Sequence, residues 1–447
     1  MEITTIYAIA AGGIVSVFIF IRCLYLLAPL QSTVSVFVSR HLTYPYCLGR
    51  HRFAGPWTRA GVLVHISYLA VNLVCLLLSA PSVSDIGGRA GVLSVVNMTF
   101  LFTGPHLSLL ADILGVSLHT CRKIHGSMAW MSVLLLAIHV VIALLIGRVA
   151  FPLRDAANLI AAIGSSSAAA IMFFSFPFFR RVAYGWFLRA HQGLAALLLY
   201  ATWRHIPANQ SLSRICIYVS LGSFTLTLFV QILFFCYQNG AFTSHGPPRA
   251  YVSCDGTDDD EKTNEGVEKA AAVQVVLPRP MRLDAGQYVN LWMPTVSLFS
   301  WAQTHPYMIS SWSRGKQTKL DLYVKAQHGL SATLLDRARA APSGSVSFSA
   351  FVTGPHGITE PVDRYESVLL VASGAGIAAV IPYLKKLIYG HNTSTCRTRR
   401  VHLVWQLRTL DMAIAVESAV NSLLKDDTVA NGYILTISIY VESGGIV

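Results

Sequence analysis

Four histidines form two pairs with the same spacing. His125 and His139 lie on one apolar stretch, His191 and His205 lie on another, and the members of each pair are 14 residues apart. On an α-helix, 14 residues end about 40° short of four full turns and rise about 21 Å. Each pair therefore faces one side of its helix, with one imidazole near each end of a membrane span.

Two such helices running in the same direction would bring the histidines together at two levels. His125 would be level with His191, and His139 with His205. Imidazole on both faces of a haem iron saturates the metal and favours one-electron transfer over oxygen binding. The spacing predicts two b-type haems stacked across a membrane, and the alternative is four histidines that hydrogen-bond neighbouring helices.

Two other histidine pairs do not fit this pattern. His51 and His65 are also 14 residues apart, but Gly55-Pro56 lies between them and breaks a helix. His106 and His119 are 13 residues apart and would face away from each other. Cations near the ends of the two helices could neutralise haem propionates, with Arg122, Lys123 and Arg189 at the inner end and Arg204 at the outer end.

The composition indicates a membrane protein. The 447 residues are 53% hydrophobic and 13% charged, with a mean hydropathy of +0.52, whereas soluble chains carry about 25% charged residues. Residues 1–240 hold 15 Lys/Arg against 4 Asp/Glu, and residues 241–447 hold 19 against 18. The basic excess belongs to the apolar half, which favours membrane-flanking cations and a lipid partner and argues against nucleic acid. Eight cysteines without ligand spacing predict buried thiols rather than a disulfide framework.

Seven stretches are long enough, or nearly so, to cross a bilayer. Nine basic residues fall in loops on one side and five on the other, which places the first set in the cytoplasm. The N-terminus is then outside and the C-terminal half inside. The predicted spans are 5–28, 58–80, 92–117, 125–147, 157–178, 186–205 and 214–237.

The pattern changes after Tyr237. Short alternating segments separated by turns predict a small antiparallel β-barrel, and an apolar strand followed by helix and strand alternation predicts a βαβαβ unit. The fold class is thus a multi-pass helical membrane domain (1–240), an antiparallel barrel (241–361) and a partial α/β domain (362–447). The barrel segments are 271–277, 287–293, 320–326 and 346–352, and the α/β segments are 367–373, 377–389, 401–407, 410–424 and 433–441.

A glycine-rich turn follows the first strand of the α/β unit. Ser373, Gly374, Ala375, Gly376 and Ile377 lie where that strand gives way to a helix. Glycines let the backbone approach phosphates, and a helix N-terminus attracts their charge. The turn predicts a nucleotide pyrophosphate site.

The segment His305-Pro306-Tyr307-Met308-Ile309-Ser310-Ser311 resembles the HPFTISS-type flavin motif of the ferric reductase and NADPH oxidase superfamily. The two helices with paired histidines, the segment 368–384 and the segment 401–408 resemble the same family in the same order, so the resemblance covers nearly the whole chain. It implies a ferredoxin-reductase-like arrangement with an FAD barrel and an NADPH domain.

The resemblance also implies individual ligand contacts. Backbone amides of 305–311 and Ser310 or Ser311 would bond the isoalloxazine edge, and Tyr307 would pack on the ring or the adenine. The implied contacts with the FAD pyrophosphate are Lys325 and the turn at Gly329, and those near the nicotinamide are Gly354 and Pro355 of the segment GPHG. Arg408 would bind the NADPH 2′-phosphate; Arg397, Arg399 and Arg400 are alternatives that a solvated basic loop explains equally well.

By this resemblance the chain is a fungal-type metalloreductase, in which electrons from NADPH pass through FAD and two haems to an external ferric or cupric chelate. A separate iron or copper transporter would take the product, and the plasma membrane is the expected location, with a vacuolar membrane as the alternative. The rival activity is an NADPH oxidase that forms superoxide; equal histidine spacing on both helices favours the reductase.

Three departures from the family pattern bear on activity. Met308 replaces a Thr or Ser, His356 replaces a Tyr, and the sequence to Val447 contains neither a Cys-Gly-Pro type motif nor the C-terminal aromatic that the family places over the flavin. The nucleotide domain is expected to be incomplete. A third hypothesis is therefore a haem-binding protein without NADPH turnover.

Overall fold

A computed structural model gives the fold of this chain. It describes residues 2–25, 31–49, 55–104, 107–147, 151–182, 184–241, 243–244, 246–253, 270–297, 300–325, 329–342, 344–408, 411–429 and 432–442. The chain divides into two compact units, Met1–Phe229 and Val230–Val447, which are taken in turn.

The first unit is helical. Hydroxyl and carboxylate side chains begin several of its helices: Thr58 accepts from the Gly61 amide at 3.1 Å, Ser82 from the Asp85 amide at 3.2 Å, and Asp155 from the Ala157 amide at 3.1 Å. A short hairpin of β1 (Tyr46–Leu48) and β2 (Trp57–Thr58) precedes the third helix. The helices are α1 (Ile3–Tyr25), α2 (Gln31–Val38), α3 (Arg59–Leu77), α4 (Val83–Thr99), α5 (Leu107–Leu114), α6 (Leu118–Gly147), α7 (Ala156–Phe174), α8 (Pro177–Val182), α9 (Tyr184–His205) and α10 (Ser211–Gln238).

Among the described residues, five helices are long and apolar enough to cross a membrane, namely α1, α3, α6, α7 and α10. The predicted span 92–117 is wrong as a single helix, because α4 ends at Thr99 and α5 leaves at an angle of 93°. If that bent pair counts as one span, the number is six. The predicted span 186–205 is a helix, α9, but its arginines and histidines keep it out of the apolar set.

A buried polar cluster joins α1, α3 and α4. The Tyr7 hydroxyl lies 3.2 Å from Asn72 Oδ1 and 3.0 Å from Asn97 Oδ1, and Asn97 Nδ2 donates to Asn72 Oδ1 at 2.9 Å. All three side chains are buried. Interhelical hydrogen bonds of this kind fix helix position inside a membrane, where apolar surface alone gives no preference. The cluster therefore fixes α1 against α3 and α4.

The second unit begins at Val230, in the last part of α10, and continues with two antiparallel sheets that share one core. One sheet has the strand order β7-β4-β3-β8 and the other β6-β5-β9. The sequence predicts four of these strands, and it misses Arg249–Ser253 and the separate strands at 305 and 351. The strands are β3 (Arg249–Ser253), β4 (Ala270–Arg282), β5 (Tyr288–Trp292), β6 (His305–Met308), β7 (Lys316–Lys325), β8 (Ser345–Ser349) and β9 (Phe351–His356), with helix α11 (Leu330–Arg339).

A three-stranded parallel sheet completes the second unit. Its order is β10-β11-β12, with helices between successive strands, so the predicted βαβαβ unit is confirmed. Apolar residues from both helices and all three strands form one core. The elements are β10 (Ser367–Ser373), α12 (Ile377–Asn392), β11 (Arg400–Leu407), α13 (Asp411–Asp426) and β12 (Leu435–Val441).

Candidate functional site

The structure brings the four membrane histidines together in the pairs that the spacing predicts. His125 and His139 lie on α6, and His191 and His205 lie on α9. The ring centres of His125 and His191 are 6.2 Å apart, and those of His139 and His205 are 6.3 Å apart. Because α6 packs along α4 and α9 packs along α7, the imidazoles reach across the space between α6 and α9 at two levels.

The ring separations fit one iron between each pair. An imidazole nitrogen binds a metal at about 2 Å and the ring centre lies about 1 Å behind it, so two imidazoles on opposite faces of one iron have centres roughly 6 Å apart. Among the described residues, no group of three or more His, Cys, Asp or Glu side chains could hold a metal ion. Each pair supplies only two ligands, which suits haem because the porphyrin supplies the other four.

The hydrogen bonds of the two pairs differ. His139 Nδ1 lies 2.8 Å from the Gly87 carbonyl oxygen on α4. His191 Nδ1 is buried and has no hydrogen-bond partner among the described residues. A buried imidazole nitrogen without a partner is costly in an apolar bundle, so its position is consistent with a ligand-binding side chain.

His65 shows the other kind of membrane histidine. Its Nδ1 lies 2.7 Å from the Gly61 carbonyl and its Nε2 lies 2.7 Å from Ser127 Oγ. Both ring nitrogens are used within the protein. His65 is therefore a structural residue. This agrees with the sequence, in which Gly55-Pro56 breaks any helix that would join His65 to His51.

The segment 305–311 connects the two sheets of the barrel. His305–Met308 pairs with β5, and Ile309 then crosses to form an isolated bridge with Leu322 of β7. Ile309 is fully buried, whereas Pro306 is exposed. The segment thus begins as an edge strand with Pro306 on its exposed side and ends inside the barrel.

The two serines of this segment bond the protein main chain. Ser310 Oγ donates to the Asp321 carbonyl at 2.6 Å, and Ser311 Oγ accepts from the Asp321 amide at 3.1 Å. The side chains are 2% and 6% exposed. The structure therefore places these hydroxyls inside the barrel, where they fasten 305–311 to β7, rather than on its outer side toward an isoalloxazine edge.

Burial keeps two other side chains of the segment neutral. It lowers the pKa of His305 below its ordinary value and raises the pKa of Tyr307 to about 12. His305 Nε2 lies 3.2 Å from Gln303 Oε1, and Tyr307 packs against the barrel core. Both side chains are uncharged at neutral pH and present no charge to a flavin.

Two of the departures from the family pattern, Met308 and His356, lie in one row of the sheet. Met308 is opposite Tyr288 on one side, and His356 is opposite Tyr288 on the other. The rings of Tyr288 and His356 are 5.6 Å apart. Gly354 and Pro355, the residues assigned to the nicotinamide, are therefore separated from the flavin segment by the single strand β5. Of the residues assigned to the FAD pyrophosphate, Lys325 ends β7 and Gly329 begins α11 with a φ of +73°.

The glycine-rich turn lies at the carboxyl edge of the parallel sheet. Gly374 has a φ of +50°, and its carbonyl accepts a hydrogen bond at 3.0 Å from Nε1 of the buried Trp405. Ser373 and Gly376 are exposed, so the amides at the start of α12 are open to a phosphate. Ile377 is fully buried, and its side chain belongs to the core rather than to a ligand contact.

Sequence reasoning overlooked Trp405 and Glu442 at this edge. Arg408 follows β11 at the same edge, and its Nε lies 3.9 Å from Oε2 of Glu442, while Gln406 Nε2 donates to Oε1 of the same carboxylate at 2.6 Å. Nucleotides bind open α/β sheets at the carboxyl ends of the strands, where an acidic residue and an arginine have opposite effects on a 2′-phosphate. The alternative cations Arg397, Arg399 and Arg400 lie at the other end of β11, so the structure separates them from the turn.

Comparison with known proteins finds a matching family for three parts of the chain. The family "Ferric reductase like transmembrane component" matches residues 90–202, the family "FAD-binding domain" matches 264–360, and the family "Ferric reductase NAD binding domain" matches 365–443. The chain is thus similar, in this order, to a ferric reductase membrane region, an FAD-binding domain and an NAD-binding domain. The first match and the apolar helices indicate an integral membrane protein.

Several proteins similar to the chain are ferric reductases by name. The chain is 30% identical over 245 residues to "Ferric/cupric reductase transmembrane component 2" of Saccharomyces cerevisiae, a match that covers 55% of this chain and 31% of that protein. It is 22% identical to the protein of the same description in Schizosaccharomyces pombe, over 57% of this chain and 48% of that protein. The chain thus spans about a third of the length of the S. cerevisiae relatives it matches.

Two of the solved structures that match part of the chain are reductases by name. "Ferredoxin reductase in carbazole 1,9a-dioxygenase" is 14% identical with a TM-score of 0.30, covering 45% of this chain and 53% of that one. "Ferredoxin-NADP+ reductase from Plasmodium falciparum" is 13% identical with a TM-score of 0.30, covering 45% and 72%.

Proposed function

We propose that this chain carries electrons from cytoplasmic NADPH across a membrane to a ferric or cupric chelate, with FAD and two b-type haems as its cofactors. The observation that carries the proposal is the equal separation of the two imidazole pairs, 6.2 and 6.3 Å. When bound, FAD takes a hydride and releases single electrons, and bis-histidine haem transfers them one at a time.

The side chains of the first unit would hold the haems. His125 and His191 would hold one haem, and His139 and His205 would hold the other. Arg189, whose Nη1 donates to Gln192 at 2.9 Å, lies two residues before His191 on α9 and is the cation that would balance a propionate charge.

The side chains of the second unit would bind and orient the flavin and the nucleotide. The main chain of 305–308 lines the flavin on its outer side, while Ser310 and Ser311 hold that segment to β7. Gly374 and Gly376 admit a pyrophosphate to the start of α12. Arg408 attracts a 2′-phosphate at the carboxyl edge of the sheet.

The remaining parts of the proposal concern location and partners. The basic loops favour an N-terminus outside and the flavin and nucleotide domains in the cytoplasm, in the plasma membrane. The acceptor is an external metal chelate, and a separate iron or copper transporter is the expected user of the reduced metal.

The test uses the full chain in membranes, with NADPH supplied on the cytoplasmic side and a ferric chelate outside. We expect Fe(II) to form at a rate that superoxide dismutase does not change. The test variant is His205→Ala, which removes one proposed ligand. The matched control is His119→Ala, which removes an exposed histidine of α6. Fe(II) formation that superoxide dismutase abolishes would favour the oxidase, and no NADPH-dependent output would favour a haem-binding protein without turnover.

A further inference from the structure

Two glycines of α4 lie against one of the proposed haem ligands. The Gly87 carbonyl is 2.8 Å from His139 Nδ1. A Cβ built at Gly91 would be 2.9 Å from His139 Nδ1 and 3.1 Å from its Cε1. Real Cβ atoms are not found that close to another side chain, so only glycine at position 91 leaves room for this ring.

The same stretch brings α4 close to α6. A Cβ at Gly87 would be 2.6 Å from Ile142 Cγ2, and Ser94 Oγ donates to the Ser132 carbonyl at 2.8 Å. Gly87, Gly91 and Ser94 are spaced four and three residues apart, so they share one helix face. Small residues on that face allow the two backbones to approach, and the approach is what brings the Gly87 carbonyl within reach of His139.

The hydrogen bond determines which nitrogen of His139 carries the proton. A carbonyl oxygen can only accept, so Nδ1 must hold a hydrogen and Nε2 must be the unprotonated nitrogen of the neutral ring. That leaves the Nε2 lone pair for a metal. A hydrogen bond from the distal nitrogen to a carbonyl also makes an imidazole more basic and fixes its orientation.

We infer that Gly87 and Gly91 form a seat that positions His139 as an iron ligand, and that this seat makes the His139–His205 site different from the His125–His191 site. His191 Nδ1 has no corresponding acceptor among the described residues. The seat rests on the proposed haem ligation. Glycines 87 and 91 act through His139 and are positioning residues.

The experiment compares Gly91→Ala with Gly88→Ala in the full-length protein purified in detergent. Gly88 is on the same helix and is exposed, and a Cβ there would have no atom within 4 Å. Haem per polypeptide is measured as pyridine haemochrome, the low-spin ferric signals by electron paramagnetic resonance, and the midpoint potentials by redox titration. His139→Ala is measured in parallel.

We expect Gly91→Ala to change one haem and leave the other as in wild type. Loss of an orienting partner typically weakens metal binding by about 10–100-fold, so the altered haem is lost or has a shifted low-spin signal. If the altered haem is retained, its midpoint potential rises, because a less basic imidazole stabilises ferric iron less. Gly88→Ala should match wild type in all three measurements.

The outcomes separate the seat from the ligation itself. If His139→Ala removes one haem and Gly91→Ala changes neither, the seat is wrong and the ligation stands. If Gly91→Ala removes both haems equally, the effect is not confined to the His139 site and the seat is also wrong. If His139→Ala retains both haems, the proposed ligand set fails, and the seat fails with it.

Discussion

Asn239 covers an edge strand of the flavin barrel, and replacing its side chain should markedly lower the free energy of unfolding of the second unit. It follows α10, and its side chain makes two bonds to the main chain of Val352: Oδ1 accepts from the amide at 2.7 Å and Nδ2 donates to the carbonyl at 2.9 Å. Nδ2 also donates to the Phe235 carbonyl at 2.8 Å. Because β9 is an edge strand, the Asn239 amide takes the place of a neighbouring strand.

The magnitude follows from burial. Asn239 is 6% exposed and Val352 is 0% exposed. Asn239→Ala leaves the Val352 amide and carbonyl without partners, and each buried unpaired group costs about 1–3 kcal/mol. We expect a loss of about 3 kcal/mol in the free energy of unfolding of the second unit. At roughly 2–4 °C per kcal/mol for 150–250 residues, the midpoint of thermal unfolding falls by about 6–12 °C.

The assay is the thermal release of FAD, followed by flavin fluorescence in the purified full-length protein. Asn421→Ala is the matched control, since Asn421 is exposed on α13 and bonds only Glu417 at 3.3 Å. Asn239→Asp keeps the acceptor but places a carboxylate oxygen against the Val352 carbonyl, so it should destabilise as well. A midpoint for Asn239→Ala within the shift of the Asn421→Ala control would refute the reasoning.

Three further predictions concern the nucleotide edge and the flavin strand. Trp405→Phe removes the hydrogen bond to the Gly374 carbonyl, which is worth about 1 kcal/mol, so the KM for NADPH should rise about fivefold while kcat at saturation is unchanged. An unchanged KM would show that Trp405 does not position the glycine-rich turn. Glu442→Gln removes a negative charge beside Arg408, and because two unit charges about 4 Å apart in water interact by about 1 kcal/mol, the ratio of kcat/KM for NADPH to that for NADH should rise about fivefold. A constant ratio would mean that the 2′-phosphate binds elsewhere. Burial lowers the pKa of His305, so the unfolded chain binds the proton more readily and the barrel loses stability as the pH falls below about 6.5. The midpoints of thermal FAD release at pH 7.5 and pH 5.5 should therefore differ less in His305→Gln than in wild type. An equal difference would assign the pH dependence to other groups.

The pairing of the histidines could be predicted because it depends on helix periodicity alone. Fourteen residues return a helix to nearly the same face, whatever surrounds it. The hydrogen-bond partner of His139 could not be predicted from the sequence. The Gly87 carbonyl comes within reach of His139 only because α4 packs on α6. The spacing of Gly87 and Gly91, four residues apart in an apolar segment, was the available signal.

The third span shows where hydrophobicity is insufficient. Residues 92–117 are apolar almost throughout, so their composition predicts one crossing. The structure instead has α4 and α5 at an angle of 93°. The Gly104-Pro105 dipeptide was the local signal for a break, since proline disfavours helix in the residue before it.

The serines of the flavin segment show the limit of a motif. The sequence identifies an extended segment at 305–311, and the structure contains one. Which side each residue faces depends on the change of partner strand at Ile309, which brings Ser310 and Ser311 to the main chain of Asp321. That change is a property of the two-sheet barrel and has no counterpart in the local pattern.

The most direct test of the central claim is a reduced-minus-oxidised absorption spectrum of the full-length protein in membranes, recorded with NADPH as the only donor and again with dithionite. We expect a b-type signal with both donors, equal in amplitude at completion and corresponding to two haems per chain. A signal with dithionite alone would contradict NADPH turnover, and the absence of a haem signal with either donor would contradict the role of the paired histidines.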